Sequence, residues 1–279
     1  MTHTLLSIGH GYSAQALACL LPDWRIIGTT RSADKAEALR DIGTEPLIWP
    51  GSDLTEVIAQ ASHILLSVMP GERGDPVFNA YADAIEAAKP QWVGYLSTTG
   101  VYGDHGGAWT DEDTPLTATT KRGKMRIAAE AQWQSLDIPL HIFRLAGIYG
   151  PGRGPFAKVK AGTARRIIKA NQVFSRTHVE DIAQILRASI NRPNPGGVYN
   201  VCDDEPAPPQ DVIAHAADLL GLPIPPDTPF EDAEFTPMAR SFYAESKRCR
   251  NDRIKDELGV KLLYPTYRDG LAALLKAET

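Results

Sequence analysis

Residues 5–14 run Leu5, Leu6, Ser7, Ile8, Gly9, His10, Gly11, Tyr12, Ser13, Ala14. An apolar run of strand length ends in two glycines and passes straight into a helical pattern over 13–21. Looser versions of that junction recur through the first half of the chain. Short apolar runs at 5–8, 25–28, 45–48, 61–68, 92–96 and 140–144 alternate with helical stretches at 13–21, 33–42, 53–60, 76–88 and 120–136. Strands separated by helices return parallel, so the pattern predicts an α/β fold: a doubly wound parallel sheet with helices on both faces. Ser32 and Asp53 stand at helix N-cap positions, and Pro22, Pro90 and Pro139 punctuate helix ends. Beyond Gly150 the pattern loosens. Helices are expected at 179–189, 210–220, 246–258 and 266–276, a strand at 197–201, and proline-rich loops at 205–209 and 223–237. The expected organisation is a sheet core over 1–150 and a small C-terminal lobe over 151–279, with segments around 173–201 returning to the core.

Charge and cysteine usage narrow the partners. The chain of 279 residues carries 29 Lys and Arg against 34 Asp and Glu. A net charge of −5 offers no electrostatic footprint for nucleic acid or an anionic membrane. No apolar run reaches membrane-spanning length, and the apolar start lacks the basic flank of a signal peptide. Cys19, Cys202 and Cys249 are odd in number and widely spaced, which reads as reduced thiols in a cytoplasmic protein. The spacing of His3, His10, His63, His105 and His178 suggests no metal set. A small molecule is the expected partner, and a homodimer is compatible with the composition.

In Gly9-x-Gly11-x-x-Ala14 the first glycine permits a tight turn. The second lets a pyrophosphate approach the backbone at a helix N-terminus, and Ala14 keeps helix and strand close. Tyr12 and Ser13 open that helix. The second strand ends Thr30, Arg31, Ser32 with no acid to hold a ribose 2′-hydroxyl. A carboxylate would repel a 2′-phosphate, whereas Arg31 can bind one as a fork, so NADP is favoured over NAD. Ser67, Val68 and Met69 end the fourth strand, where the backbone would pass along the cofactor.

With these segments the chain resembles the extended branch of the short-chain dehydrogenase/reductase superfamily, the NAD-dependent epimerase/dehydratase type. The resemblance rests on the glycine turn, on Ser97-Thr98-x-x-Val101-Tyr102-Gly103, on Arg144 through Gly152, on Arg176-x-His178-Val179-Glu180-Asp181, and on Gly197 through Val201. It implies dinucleotide binding at the carboxyl edge of the sheet beside a substrate lobe. It also implies that Thr98 polarises a substrate carbonyl. The family's Tyr-x-x-x-Lys pair is absent: alignment on Gly123 and on Ala129-Glu130 puts Arg122 at the Tyr position and Arg126 at the Lys position. An arginine is no general acid–base at neutral pH. Arg126 could hold ribose hydroxyls, and Arg122 could bind a substrate anion or stabilise an oxyanion. Tyr102 and Tyr149 are candidate replacement acids, Tyr102 being the more usual packing residue. Arg153 and Arg176 complete a set of cations for substrate. His178 reads as a structural hydrogen-bonding residue, Asp181 as a cap or brace for the following helix, and Phe242 and Tyr243 as core aromatics, with pocket lining as the alternative. The leading expectation is an NADP-dependent oxidoreductase or epimerase-like enzyme acting on a small polar, anionic substrate. The alternative is a non-catalytic NADP-binding sensor on the same fold.

Overall fold

The computed structural model describes residues 3–278. In chain order the strands are β1 (Thr4–Ile8), β2 (Arg25–Thr30), β3 (Glu45–Ile48), β4 (His63–Leu66), β5 (Trp92–Thr98), β6 (Trp109–Thr110), β7 (Leu140–Leu145), β8 (Gly147–Tyr149), β9 (Arg166–Ile168), β10 (Arg176–His178), β11 (Val198–Val201), β12 (Asp227–Pro229) and β13 (Arg248–Cys249). The helices are α1 (Tyr12–Cys19), α2 (Ala33–Asp41), α3 (Thr55–Gln60), α4 (Pro76–Ala88), α5 (Lys121–Gln134), α6 (Phe156–Lys160), α7 (Val179–Asn191), α8 (Pro209–Leu219), α9 (Pro237–Phe242), α10 (Asp252–Asp256) and α11 (Tyr267–Glu278).

Seven strands form the central sheet in the order β11-β7-β5-β4-β1-β2-β3, and every neighbouring pair is parallel. The period of two along the strands divides the core between the faces. Leu5, Leu65, Phe143 and Tyr199 pack with Leu17 of α1 and Ile182, Ile185 and Leu186 of α7. Leu6, Ile64, Val93 and Ile142 pack with Ile58, Ile85, Ala129 and Trp133 of α3, α4 and α5. The chain winds outward from β1 to β3, then crosses back to β4. The carboxyl ends of β1 and β4 therefore flank the switch point, where a crevice opens.

A smaller core of Tyr149, Phe156, Val159, Val212, Ala216, Tyr267 and Leu271 holds the C-terminal elements together. Three short parallel pairs, β8–β10, β9–β12 and β6–β13, stand outside the central sheet, and β6–β13 and β8–β10 join later segments of the chain to those before Gly150. The helix expected over 246–258 is replaced by β13 and the shorter α10. Backbone pairing overrides periodicity there: Arg248 N donates to Ala108 O at 2.9 Å and Arg250 N to Thr110 O at 2.8 Å. Ser32 caps α2. Asp53 instead builds a local turn, its Oδ1 accepting from Thr55 N at 3.1 Å. Among the described residues no helix is long and apolar enough to cross a membrane.

Candidate functional site

The sequence-predicted residues gather in two adjoining regions at the carboxyl edge of the sheet. The first surrounds the turn after β1. Gly9 holds φ +91°, and a Cβ there would lie 2.9 Å from Ser67 Oγ, so both the turn and its contact with the end of β4 require glycine. Ser67 N donates to Ile8 O at 3.0 Å, and His10 N to Thr29 O at 3.0 Å. Gly9 N donates to Thr29 Oγ1 at 2.7 Å, and Ser67 Oγ donates to the Gly9 carbonyl. These bonds stitch the turn to β2 and β4. The turn that precedes Gly11, Tyr12 and Ser13 thus sits against the strand ends that lead into Thr30, Arg31 and Ser32 and into Ser67, Val68 and Met69.

Gly11 is glycine for another reason. Its backbone is extended, at φ −99° and ψ −159°, and a Cβ would have no neighbour nearer than Gly9 O at 3.8 Å. Neither strain nor crowding inside the chain demands it. The residue is the N-cap of α1 and supplies no side-chain cap, which leaves the first N–H groups open at the positive end of the helix. The residues present therefore fit a pyrophosphate, in the space a Cβ would fill. At the end of β2, Arg31 is exposed and makes no hydrogen bond or ion pair among the described residues. Ser32 Oγ accepts from Lys35 N at 3.4 Å.

The second region is a cavity of about 670 Å³ between the end of β5, the first turn of α5, β8, β10 and residues 241–249. Thr98 lies at its edge and its Oγ1 accepts from Gly100 N at 3.1 Å. That bond uses a lone pair and leaves the hydroxyl proton free to donate. Lys121, Arg122 and Lys124 crowd the positive end of α5, with no acid in its first turn. Such a cluster costs helix stability, and a bound anion would offset it. Lys121 pairs with Glu72. Arg122 is exposed, lies 5.8 Å from the Phe242 ring centroid, and makes no hydrogen bond or ion pair among the described residues.

Arg126 lies at the seam with β5, outside the cavity lining. Its Nη1 donates to Tyr95 Oη at 2.9 Å and Leu96 O at 3.0 Å, leaving Nε and Nη2 uncommitted. Tyr102 is fully buried: it donates to Asn200 Oδ1 at 2.7 Å and accepts from Arg144 Nη1 at 3.0 Å. Tyr149 lines the cavity, but its hydroxyl is seated on the backbone of α11, where a Cβ on Gly270 would lie 2.1 Å from it. Burial raises the pKa of both tyrosines. Arg176 also lines the cavity, with Nη1 donating to Phe174 O at 3.0 Å and Ala207 O at 2.9 Å. Burial pulls its pKa down while the nearby Asp203 carboxyl pulls it back up. Arg153 is not gathered there: it sits 5.8 Å from the ring centroid of Tyr12, beside the glycine turn.

His178 caps α7, its Nδ1 accepting from Glu180 N at 3.3 Å. Asp181 braces the chain near the C-terminus by accepting from Leu263 N at 2.7 Å and Tyr264 N at 3.1 Å. Phe242 and Tyr243 are not core residues. Both line the cavity, and Phe242, at the end of α9, is 54% exposed. Sequence reasoning also missed Phe174, Glu245 and Lys247 in that lining. They lie on connecting segments with no periodicity or spacing that would single them out.

No protein-family model matches the chain. A functionally unknown conserved protein from Silicibacter pomeroyi DSS is 61% identical, with TM-score 0.93 and full coverage of both chains. A protein of Methylobacillus flagellatus assigned provisionally to the NAD-dependent epimerase/dehydratases is 27% identical, with TM-score 0.75, over 100% of this chain and 99% of that one. The dTDP-glucose 4,6-dehydratase of Bacillus anthracis, solved with NAD, has the same fold at TM-score 0.76 and 17% identity, covering 99% of this chain and 96% of its own. Among curated proteins, YeeZ of Escherichia coli K12 is 27% identical over 92% of this chain and 95% of its own. A 3-diazoavenalumate denitrifying reductase of Streptomyces is 31% identical over 58% of this chain and 57% of its own. The fold is that of nicotinamide-dinucleotide oxidoreductases and epimerases. With its glycine turn, its β5 serine–threonine end and its substituted α5 pair, the chain belongs to the extended short-chain dehydrogenase/reductase superfamily, as an atypical member of the NAD-dependent epimerase/dehydratase type.

Proposed function

We propose that the protein is an NADP-dependent oxidoreductase acting on a small anionic substrate in the cavity beside Thr98. The observation that carries this reading is the pairing, at one cavity, of a hydroxyl with an uncommitted proton and an arginine with no protein partner. The cofactor would be held by Gly9, Gly11, Tyr12 and Ser13 at its pyrophosphate and by Thr30, Arg31 and Ser32 at a 2′-phosphate. Ser67, Val68 and Met69 would flank it. When bound, a nicotinamide supplies or accepts hydride at its ring carbon.

Thr98 donates to the oxygen or nitrogen that gathers charge, and Arg122 places a fixed positive charge against the substrate anion. Arg126, anchored at Tyr95 and Leu96, keeps three N–H groups for ribose hydroxyls. Protons exchange with water at the open rim of the cavity. Free Cys19, Cys202 and Cys249 suit a reducing cytoplasm. Calorimetry with NADP and NAD, followed by a single-turnover assay of NADPH oxidation with small carboxylic, oxo and diazo acids, tests the reading. NADP binding without turnover of any acid would favour the sensor on the same fold.

A further inference from the structure

Arg122 and Arg176 reach the same cavity from different elements. Thr98 at the end of β5 pairs with Leu145 of β7, and two residues further on Gly147 of β8 pairs with Arg176 of β10. Each pairing is one strand spacing, about 4.8 Å. Gly123 of α5 packs on that edge, where a Cβ would lie 2.9 Å from Gly100 O, so its neighbour Arg122 joins Thr98 and Gly100 in the lining. Aromatic residues link the two guanidiniums along the other wall. Arg122 sits 5.8 Å from the Phe242 ring centroid. The next residue, Tyr243, meets Phe174 edge-on at 5.7 Å between centroids, and the Phe174 carbonyl accepts from Arg176 Nη1 at 3.0 Å.

Neither arginine has its charge met inside the chain. Arg122 is exposed and unpartnered. Arg176 spends Nη1 on the Phe174 and Ala207 carbonyls. Its Nε and Nη2 make no hydrogen bond or ion pair among the described residues, and neither atom is sealed from solvent, so a molecule in the cavity can reach them. Neither oxygen of Asp203 bonds to Arg176, and burial pushes that carboxyl toward its neutral form. An arginine stays charged in either setting. Among the described residues of the lining the one carboxyl group is Glu245, and its Oε2 accepts from Lys247 Nζ at 2.8 Å. Whatever proton that pair holds, it takes no positive charge from the arginines. Lys121 is matched by Glu72. Two positive charges are left over in one chamber, and low-dielectric walls focus their field on its contents.

We propose that the ligand of this cavity is a small dicarboxylate: a flat, apolar body with one carboxylate on Arg122 and a second on Arg176. The proposal rests on the reading of this cavity as the substrate site. Each guanidinium offers a planar fork that matches a carboxylate. The rings of Phe242, Tyr243 and Phe174 suit a flat body between the two ends. A volume of about 670 Å³ accommodates such a molecule.

The test is calorimetry, with and without NADP, using benzoate, isophthalate, terephthalate, cinnamate and 4-carboxycinnamate, a set that varies the spacing between the acids. At least one dicarboxylate should bind about tenfold or more tightly than its monocarboxylate parent, as expected for a second charge-assisted contact. Its affinity should also fall more steeply as salt is raised. In Arg122→Gln the advantage over the parent should shrink to about twofold or less. Arg176→Lys keeps the charge but loses the fork, and should shrink the advantage as well. If that variant does not fold, because Arg176 also holds the Phe174 and Ala207 carbonyls, Arg122→Gln and the salt series decide. Equal binding of every dicarboxylate and its parent, an undiminished advantage in either folded variant, or binding of none of the acids would overturn the proposal. A dicarboxylate preference in a protein that binds no dinucleotide would overturn the functional reading and leave the two-arginine site standing.

Discussion

Arg144 on β7 grips both oxygens of Glu130 on α5, with Nη2 to Oε2 at 2.8 Å and Nε to Oε1 at 3.3 Å. The carboxylate also accepts from Ser97 at the end of β5. Both side chains are almost fully buried. Glu130, Arg126 and Arg122 are spaced four residues apart, so they share one face of the helix. Clamping the first against the sheet sets the rotation of the helix, and with it the placement of Arg126 at β5 and Arg122 at the cavity.

The roles of Arg122 and Arg126 follow from that placement. Arg122→Ala is expected to weaken binding of small carboxylates by about tenfold or more, since a charge-assisted fork is lost. NADP affinity and thermal stability should stay unchanged. Arg122→Tyr with Arg126→Lys rebuilds the family pair and should retain NADP binding while raising turnover of neutral carbonyl substrates. Brisk turnover of a neutral nucleotide-sugar by the unmodified protein would contradict the assignment, because positioned acid–base groups commonly supply roughly 10²–10⁴ in rate.

Gly9 and Gly11 should fail in different ways. Gly9→Ala meets a positive φ and Ser67 together, and is expected to cost about 1–3 kcal/mol of folding stability. Gly11→Val meets open space, so the variant should fold with near-normal stability and lose dinucleotide binding. Denaturant titration beside NADP calorimetry separates the two. A Gly11 variant that binds normally would place the phosphate elsewhere.

Arg31→Ala tests the cofactor. The side chain is exposed and unpartnered, so stability should hold. NADP affinity should fall by about 1.5–3 kcal/mol, the value of a charge-assisted contact, while NAD affinity stays level. Tighter binding of NAD than NADP by the unmodified protein would refute the choice of nucleotide.

Acid stability carries a histidine signature. Burial lowers the pKa of His10, His63 and His141 to about 4, with His3 adding to the effect at His63. His141 Nε2 accepts from Asn194 N at 2.9 Å, a bond that protonation of that nitrogen would remove. Each folded pKa lies below the unfolded value of about 6.5, so the unfolded chain binds more protons as pH falls. Their contribution is complete above about pH 6.5 and is lost progressively toward pH 4. In urea titrations, His141→Gln should flatten the loss of stability between pH 7 and pH 5 by up to about 2 kcal/mol. An unchanged pH slope would contradict this.

The sheet was readable because its signals are local. Leu5, Leu6 and Ile8 followed by Gly9 and Gly11 specify strand, turn and helix within ten residues, and the missing acid beside Arg31 is visible in the same way. The cavity wall was not readable. Glu245 and Lys247 are placed by bonds with Gln172 and Gly103, which are distant in sequence, and the helical pattern that begins at Ser246 is overridden by strand pairing at Arg248 and Cys249. Tyr149 was readable in part: its motif gives its place on β8, while Gly270 of α11, distant in sequence, packs against its hydroxyl.

The path of the chain through the sheet imposes an order on assembly. The crevice beside β1 is built from segments ending at Met69, and chains emerge from the ribosome amino end first. The outer strand β11 arrives only with Val201, and the last cavity wall only with Cys249. A nascent chain can therefore present its glycine turn long before it has an enclosed chamber. A dinucleotide held at that turn would then act as a scaffold on which the half-made sheet waits for its final edge.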